Sequence, residues 1–178
     1  MLLPKNIVCI DIETTDVNSN LGSIIQLSGI VVDKEFKPMF AREFDSYVFP
    51  LNNHRNRQAM NVNNINEEDL LHAPSLEEVL IMFESFCGED KLLASWGAYF
   101  DISFLKKQYE KIERKWPFGF KSFDLKTIGI WESSKKDLGL IKGGLNEYLE
   151  MNGSVFEGTK HNSLDDIKNT VKLIRSFL

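Results

Sequence analysis

The order of elements legible in the chain predicts an α/β fold in which a mixed sheet is flanked by helices. Three observations carry this expectation: an apolar run near the start that closes on carboxylates, two β-branched runs close behind it, and a later series of amphipathic segments interrupted by a further short strand. At 178 residues the chain is long enough to bury a core as one domain, 1–178, without disulfides or structural metals.

The first element is Asn6-Ile-Val-Cys-Ile-Asp-Ile-Glu-Thr-Thr15. At a period of two, Ile7 and Cys9 share a face with Asp11 and Glu13, while Val8, Ile10 and Ile12 make the other, the pattern of a central strand buried on both sides. Strand patterns recur at Ile24 to Val32 and Ala41 to Phe49, joined by a polar link, and predict a three-stranded antiparallel meander. The Asn-rich stretch from Leu51 to Asn66, with His54, Arg55 and Arg57, has little periodicity and reads as a surface segment with one helical turn. Ser75-Leu-Glu-Glu78 is a capping-box pattern that opens a helix ending near Cys87-Gly88. Leu92 to Trp96 reads as a strand, Asp101 to about Arg114 as a helix, Trp116 to Phe120 as an aromatic link, and Leu125 to Trp131, Leu145 to Met151 and Leu164 to the end as helices.

Bulk properties narrow the function. A 43% hydrophobic and 26% charged composition without low-complexity tracts is that of a soluble globular protein. Cys9 and Cys87 sit in apolar elements without CxxC spacing, which argues against a zinc site and for a reducing compartment. The start, Met1 to Asn6, leaves no room for a secretory leader, and no apolar run approaches bilayer length, so the expectation is a cytoplasmic protein with no membrane partner. A net charge of −5 argues against coating a long duplex with lysines but leaves short phosphate contacts open.

Acids carry the chemistry. Asp11 and Glu13, two apart on a strand, can grip one divalent cation together; they are equally the polar end of a strand fanning into solvent. Asp101 falls on the apolar arc of Ile102, Phe104, Leu105, Tyr109 and Ile112, although a helix dipole alone also favours an acid there. On the last helix Asp166 shares the side of Leu164, Ile167, Val171 and Ile174, whereas Asp165 projects with Lys168, Lys172 and Arg175; Ser163-Leu-Asp-Asp166 also fits a capping box. His161, five residues before Asp166, can place an imidazole beside a cation held by that acid. Trp96, Tyr99 and the Trp116 to Phe120 cluster are expected in the core rather than as base-stacking platforms, and most of Lys106, Lys107, Lys111, Arg114 and Lys115 as a solvated face, although they could guide a phosphate backbone.

In order and spacing, Asp11-Ile-Glu13, Trp96-Gly-Ala-Tyr-Phe-Asp101 and His161-Asn-Ser-Leu-Asp-Asp166 resemble the three motifs of the DnaQ-like (DEDDh) 3′-to-5′ exonucleases. Ser95-Trp-Gly97, Gly144-Leu-Asn-Glu147 and the run His161 to Asn169 look most like the Eri-1-like subgroup, whose members act largely on RNA. The resemblance implies a ribonuclease H-like fold with a five-stranded mixed sheet. It further implies hydrolysis of terminal phosphodiesters at a free 3′ end, releasing nucleoside 5′-monophosphates, with RNA favoured over DNA. Carried over, Asp11, Glu13 and Asp166 would ligate the first of two divalent cations, Mg²⁺ or Mn²⁺, with Asp11 bridging to the second and Asp101 acting largely through water held there. His161 would be the general base, Thr14 and Thr15 would lie near the terminal nucleotide, and Asp165 matches no ligand position. Ser163 stands where Ala or Gly is commoner, a change expected to matter little, and Leu51 to Asn66 has no assigned counterpart. Two other readings stay open: a non-catalytic nucleic-acid-binding module on the same fold, and a ribonuclease H-like endonuclease.

Overall fold

Apolar and β-branched residues on both faces of Ile7–Thr14 (β1) drive it to the middle of a sheet, where only Asp11 is not fully buried. The computed structural model describes residues 6–63, 65–90, 92–135 and 143–178, so Met1 to Lys5, on which the no-leader expectation rested, lie outside the described residues. With β2 (Ile24–Val32), β3 (Pro38–Tyr47), β4 (Leu92–Ser95) and β5 (Ser122–Asp124), β1 forms a five-stranded sheet in the order β3-β2-β1-β4-β5. The first three strands are the expected antiparallel meander, while β4 and β5 join in parallel, which makes the sheet mixed.

Each face has its own core. Val8, Ile10 and Ile12 pack with Val79, Leu80 and Phe83 of α3 (Leu76–Cys87) and with Phe104, Leu105 and Tyr109 of α4 (Ala98–Lys111). Ile7 and Cys9 pack on the opposite side with Leu125 of α5 (Leu125–Ser134) and with Ile167, Val171 and Ile174 of α7 (Ser163–Arg175). The two-faced reading of β1 therefore holds residue by residue. Tyr148 and Leu149 of α6 (Leu145–Met151) extend this second core through Leu173.

Several boundaries differ from the sequence expectation, each for a physical reason. The helix expected at Asp101 starts three residues earlier, because Gly97 at φ 95° lets the chain turn sharply out of β4. Between the aromatic link and the helix at Leu125 lies β5, whose three residues are too few to show a period but extend the sheet beside β4. The Asn-rich stretch holds more than one turn: α1 (Arg57–Asn63) is followed by α2 (Glu67–Leu71), whose cap is the Asn66 side chain accepting from Glu68 N–H at 3.1 Å.

Side-chain expectations are corrected as well. Trp116 and Phe118 join the α3/α4 core as expected, but Phe120 and Tyr99 stand in solvent, Tyr99 being 88% exposed. Nor is the basic face of α4 wholly solvated: Lys111 Nζ donates to the Gly22 carbonyl at 2.6 Å and Arg114 pairs with Glu84 at 2.8 Å.

Gly29 of β2 faces the α3 core opposite Ile10, and a Cβ there would meet the rings of Phe83 and Phe86 at 3.1 Å. Replacing Gly29 by Val is expected to lower stability by about 1–3 kcal/mol through overpacking, measured as the urea unfolding midpoint. An unchanged midpoint would contradict the close approach of α3.

Candidate active site

The site begins where the parallel ladder stops. β4 pairs with β1 only through Cys9 and Ala94, so Asp11 and Glu13 project past the point at which the neighbouring chain leaves the sheet. Gly97 then turns that chain into α4 and brings Asp101, in the first helical turn, back against β1, where it is only 4% exposed. Its carboxylate accepts from Ser95 Oγ and from the backbone N–H of Ile12, a donor for which β4 supplies no partner there. The helix-dipole reading and the inward-facing reading of Asp101 thus describe one placement.

The fourth acid arrives on α7. Its cap is the Asn162 side chain, which accepts from Asp165 N–H at 3.3 Å, rather than the Ser163 capping box allowed by the spacing. Ser163 is fully buried and its hydroxyl hydrogen-bonds that of Ser28, while its N–H donates to Gln26 Oε1 at 3.4 Å. Asp45 of β3 accepts from Ser28 Oγ at 2.6 Å and from Gln26 Nε2 at 2.9 Å. Ser28 and Gln26 lie directly across β2 from Asp11 and Glu13, so this network clamps the start of α7 over the carboxylate face. The expectation that Ser at 163 matters little is overturned by these bonds. A signal for them was present: Gln26 and Ser28 are polar at a spacing of two inside an otherwise apolar strand.

Asp165 also has a structural task. Its carboxylate accepts from Thr159 N–H at 2.8 Å, and Gly158, at φ 93°, comes so close that a Cβ would lie 2.4 Å from it. Asn169 holds the same loop by bonding the Glu157 backbone at 2.7 and 2.9 Å. These ties deliver His161, at φ 60° in the left-handed region that His tolerates better than most side chains, to the exposed rim. Its backbone N–H donates to the Asp166 carboxylate.

The result is a cleft of about 400 Å³ onto which Asp11, Glu13, Asp101, His161 and Asp166 all open, together with Thr14, Val17, Trp96, Phe100, Lys126 and three residues of α1. Ligand atoms of Glu13, His161 and Asp166 lie within 4.8 Å of one another. Thr14 lines the cleft, but Thr15 is wholly buried and its hydroxyl accepts from Ser23 N–H at 2.9 Å. The α1 wall, Gln58, Ala59 and Val62, was missed in the sequence. It is held against the end of β1 by Asn56 N–H on the Thr15 carbonyl at 2.7 Å, Asn63 Nδ2 on the Thr14 carbonyl at 3.2 Å, and His54 on Asp16 at 2.7 Å.

Burial and mutual repulsion set the electrostatics. Glu13 is pushed up to about 8, first by burial and then by Asp166 and Asp101. Asp11 stands well above the usual carboxylate range from burial and the charges of Asp101, Glu13 and Asp166. Burial raises Asp101 to about 7 against the opposing hydrogen bonds from Ser95 and Ile12, and raises Asp166 to about 6. Hard carboxylate oxygens crowded so that their charged forms are disfavoured fit divalent cations.

The PolC-type DNA polymerase III of Streptococcus sanguinis is 30% identical over 104 residues, which are 58% of this chain but only 7% of that protein. The nuclease domain of 3′hExo, a DEDDh family member solved bound to rAMP, superposes with a TM-score of 0.77 at 21% identity, covering 96% of this chain and 90% of that one. Escherichia coli exonuclease I, in complex with a dT13 oligonucleotide, gives a TM-score of 0.81 at 15% identity over 96% of this chain and 40% of its own. At these identities the superpositions establish the fold, the mixed sheet and flanking helices of such exonucleases. The RNase_T model, described as exonuclease, matches residues 8–174, a span running from β1 into α7 and containing the four cleft acids and His161, and the chain belongs to that exonuclease family.

Proposed function

We propose that this protein is a metal-dependent 3′-to-5′ exonuclease, formed by 1–178 as a single domain, that hydrolyses the last phosphodiester at a free 3′ end and releases nucleoside 5′-monophosphates. The observation that carries the reading is the convergence of Asp11, Glu13, Asp101 and Asp166, from β1, α4 and α7, on one cleft with His161 at its rim. RNA is the favoured substrate over DNA, supported by the likeness of Ser95-Trp-Gly97 and His161 to Asn169 to Eri-1-like enzymes. Among solved neighbours, one is described as recognising a histone mRNA stem-loop, and others hold single-stranded DNA. No helix among the described residues is long and apolar enough to cross a membrane, and Cys9 and Cys87 are buried free thiols, which supports cytoplasmic residence.

Asp11, Glu13 and Asp166 would hold the first of two divalent cations, with Asp11 also reaching the second and Asp101 steadying the site from its bonds to Ser95 and Ile12. When bound, such cations supply the positive charge that polarises the phosphate, activates water and stabilises the leaving oxygen. His161 takes the proton of the attacking water and, being exposed, passes it to solvent. Thr14, on the cleft wall, is the nearer of the two threonines to a terminal nucleotide. Thr15 acts on that nucleotide only through the backbone it holds in place.

End-labelled linear and circular RNA and DNA single strands, incubated with Mn²⁺, Mg²⁺ or chelator, test this reading. Mononucleotides should appear from linear strands only, and only with metal. Replacing His161 by Ala should reduce turnover at least 100-fold, within the usual range for a general base, with no more than a small drop in melting temperature from its left-handed backbone. Cleavage of circles indicates an endonuclease, no metal-dependent mononucleotides a non-catalytic module, and near-normal activity of the variant removes His161 from its role.

The raised carboxylates also set a pH dependence. Groups whose folded values lie near 8, 7 and 6 against ordinary values of 4.5, 3.8 and 3.8 bind more protons folded than unfolded. Their contribution to stability is complete below about pH 4 and is lost as pH rises through 6 to 8. Metal-free protein should therefore melt at a lower temperature at pH 8.5 than at pH 5.5, with Mn²⁺ or Glu13→Gln reversing much of the loss. A metal-free melting temperature that is flat across this window would contradict the repulsion.

A further inference from the structure

Lys126 is the only lysine or arginine among the described residues that line the carboxylate cleft. It occupies the second position of α5 and is partly buried. The nearest acid on its own element is already engaged: Asp124 caps α5, accepting from the N–H groups of Lys126 at 3.0 Å and Thr127 at 3.3 Å. Asp101 is held by Ser95 and Ile12. Lys107, Lys135, Lys168 and Lys172 each pair with a glutamate, whereas the Lys126 ammonium has no ion pair or hydrogen bond among the described residues. A lysine that lines the cleft with no protein anion on its ammonium is free to take an anion that enters there.

Charge balance says what that anion is. Four cleft carboxylates matched by two divalent cations leave the site close to neutral, so a phosphodiester entering it brings an uncompensated negative charge. The geometry points to Lys126 as a substrate-binding residue whose ammonium takes a non-bridging oxygen of the nucleic-acid backbone laid across the cleft. This assignment rests on the exonuclease reading. It adds a cationic phosphate contact from α5 to a catalytic set drawn from β1, α4 and α7, with the α1 wall of Gln58, Ala59 and Val62 left to meet sugars and bases.

The test is steady-state hydrolysis of a single-stranded oligonucleotide over a series of KCl concentrations by wild type, Lys126→Met and Lys126→Arg. Loss of a charge-assisted contact should lower kcat/KM of Lys126→Met by roughly 10- to 100-fold, mainly through KM. The dependence of log kcat/KM on log salt should become shallower by about 0.7, the share of one single-strand phosphate contact. Lys126→Arg should keep most of both. Mn²⁺ affinity and melting temperature should be the same in all three, which separates substrate binding from folding or metal loading. A Lys126→Met variant with wild-type KM and salt slope, or one that is slower with an unchanged slope, overturns the phosphate contact while leaving the exonuclease reading intact. A wild type that degrades no oligonucleotide overturns both.

Discussion

Four carboxylates pressed into one partly buried cleft repel one another, and much of the surrounding structure is arranged to hold them there. In water such groups would separate and ionise independently. Here Asp11 and Glu13 cannot move because β1 is buried on both faces, Asp101 is bound to Ser95 and Ile12, and Asp166 is carried on a helix clamped to β2. With no freedom to spread, the acids relieve repulsion by keeping protons or by sharing cations. That choice links stability, pH and the proposed chemistry.

The clamp on α7 shows how the fold transmits position. Asp45, Gln26, Ser28 and Ser163 connect β3, β2 and the first turn of α7 through a chain of hydrogen bonds. Buried polar groups that are fully paired fix one register, because any shift leaves a donor or acceptor without a partner. Asp165 and Asn169 extend the same control outward to the loop carrying His161. A rigid acid and a rim imidazole are thereby set at a defined separation from separate parts of one helix start.

The legibility of these features in the sequence follows their range. Two-faced β1, the Ser75 capping box and the inward side of Asp166 are local patterns at fixed periods, and they appear in the structure as read. β5 was missed because three residues carry no period, and α1 was read as no more than one turn because its helix depends on tertiary bonds to the Thr14 and Thr15 carbonyls. Asp165 looked solvated because its partner, the Thr159 N–H, belongs to a loop whose path no helical wheel predicts. Lys126 likewise resembled any surface lysine. Its meaning came only from the acids gathered near it by β1, α4 and α7.

Divalent cations entering the cleft should displace protons that its crowded acids hold. Titration calorimetry with Mn²⁺ at pH 7, repeated in buffers of different ionisation enthalpy, counts those protons directly. The heats should change with buffer in the sense of proton release, because Glu13 near 8 and Asp101 near 7 are largely and partly protonated at that pH. Substituting Glu13 by Gln should reduce the number released. Mn²⁺ binding with heats independent of buffer, or no Mn²⁺ binding at all, would contradict it.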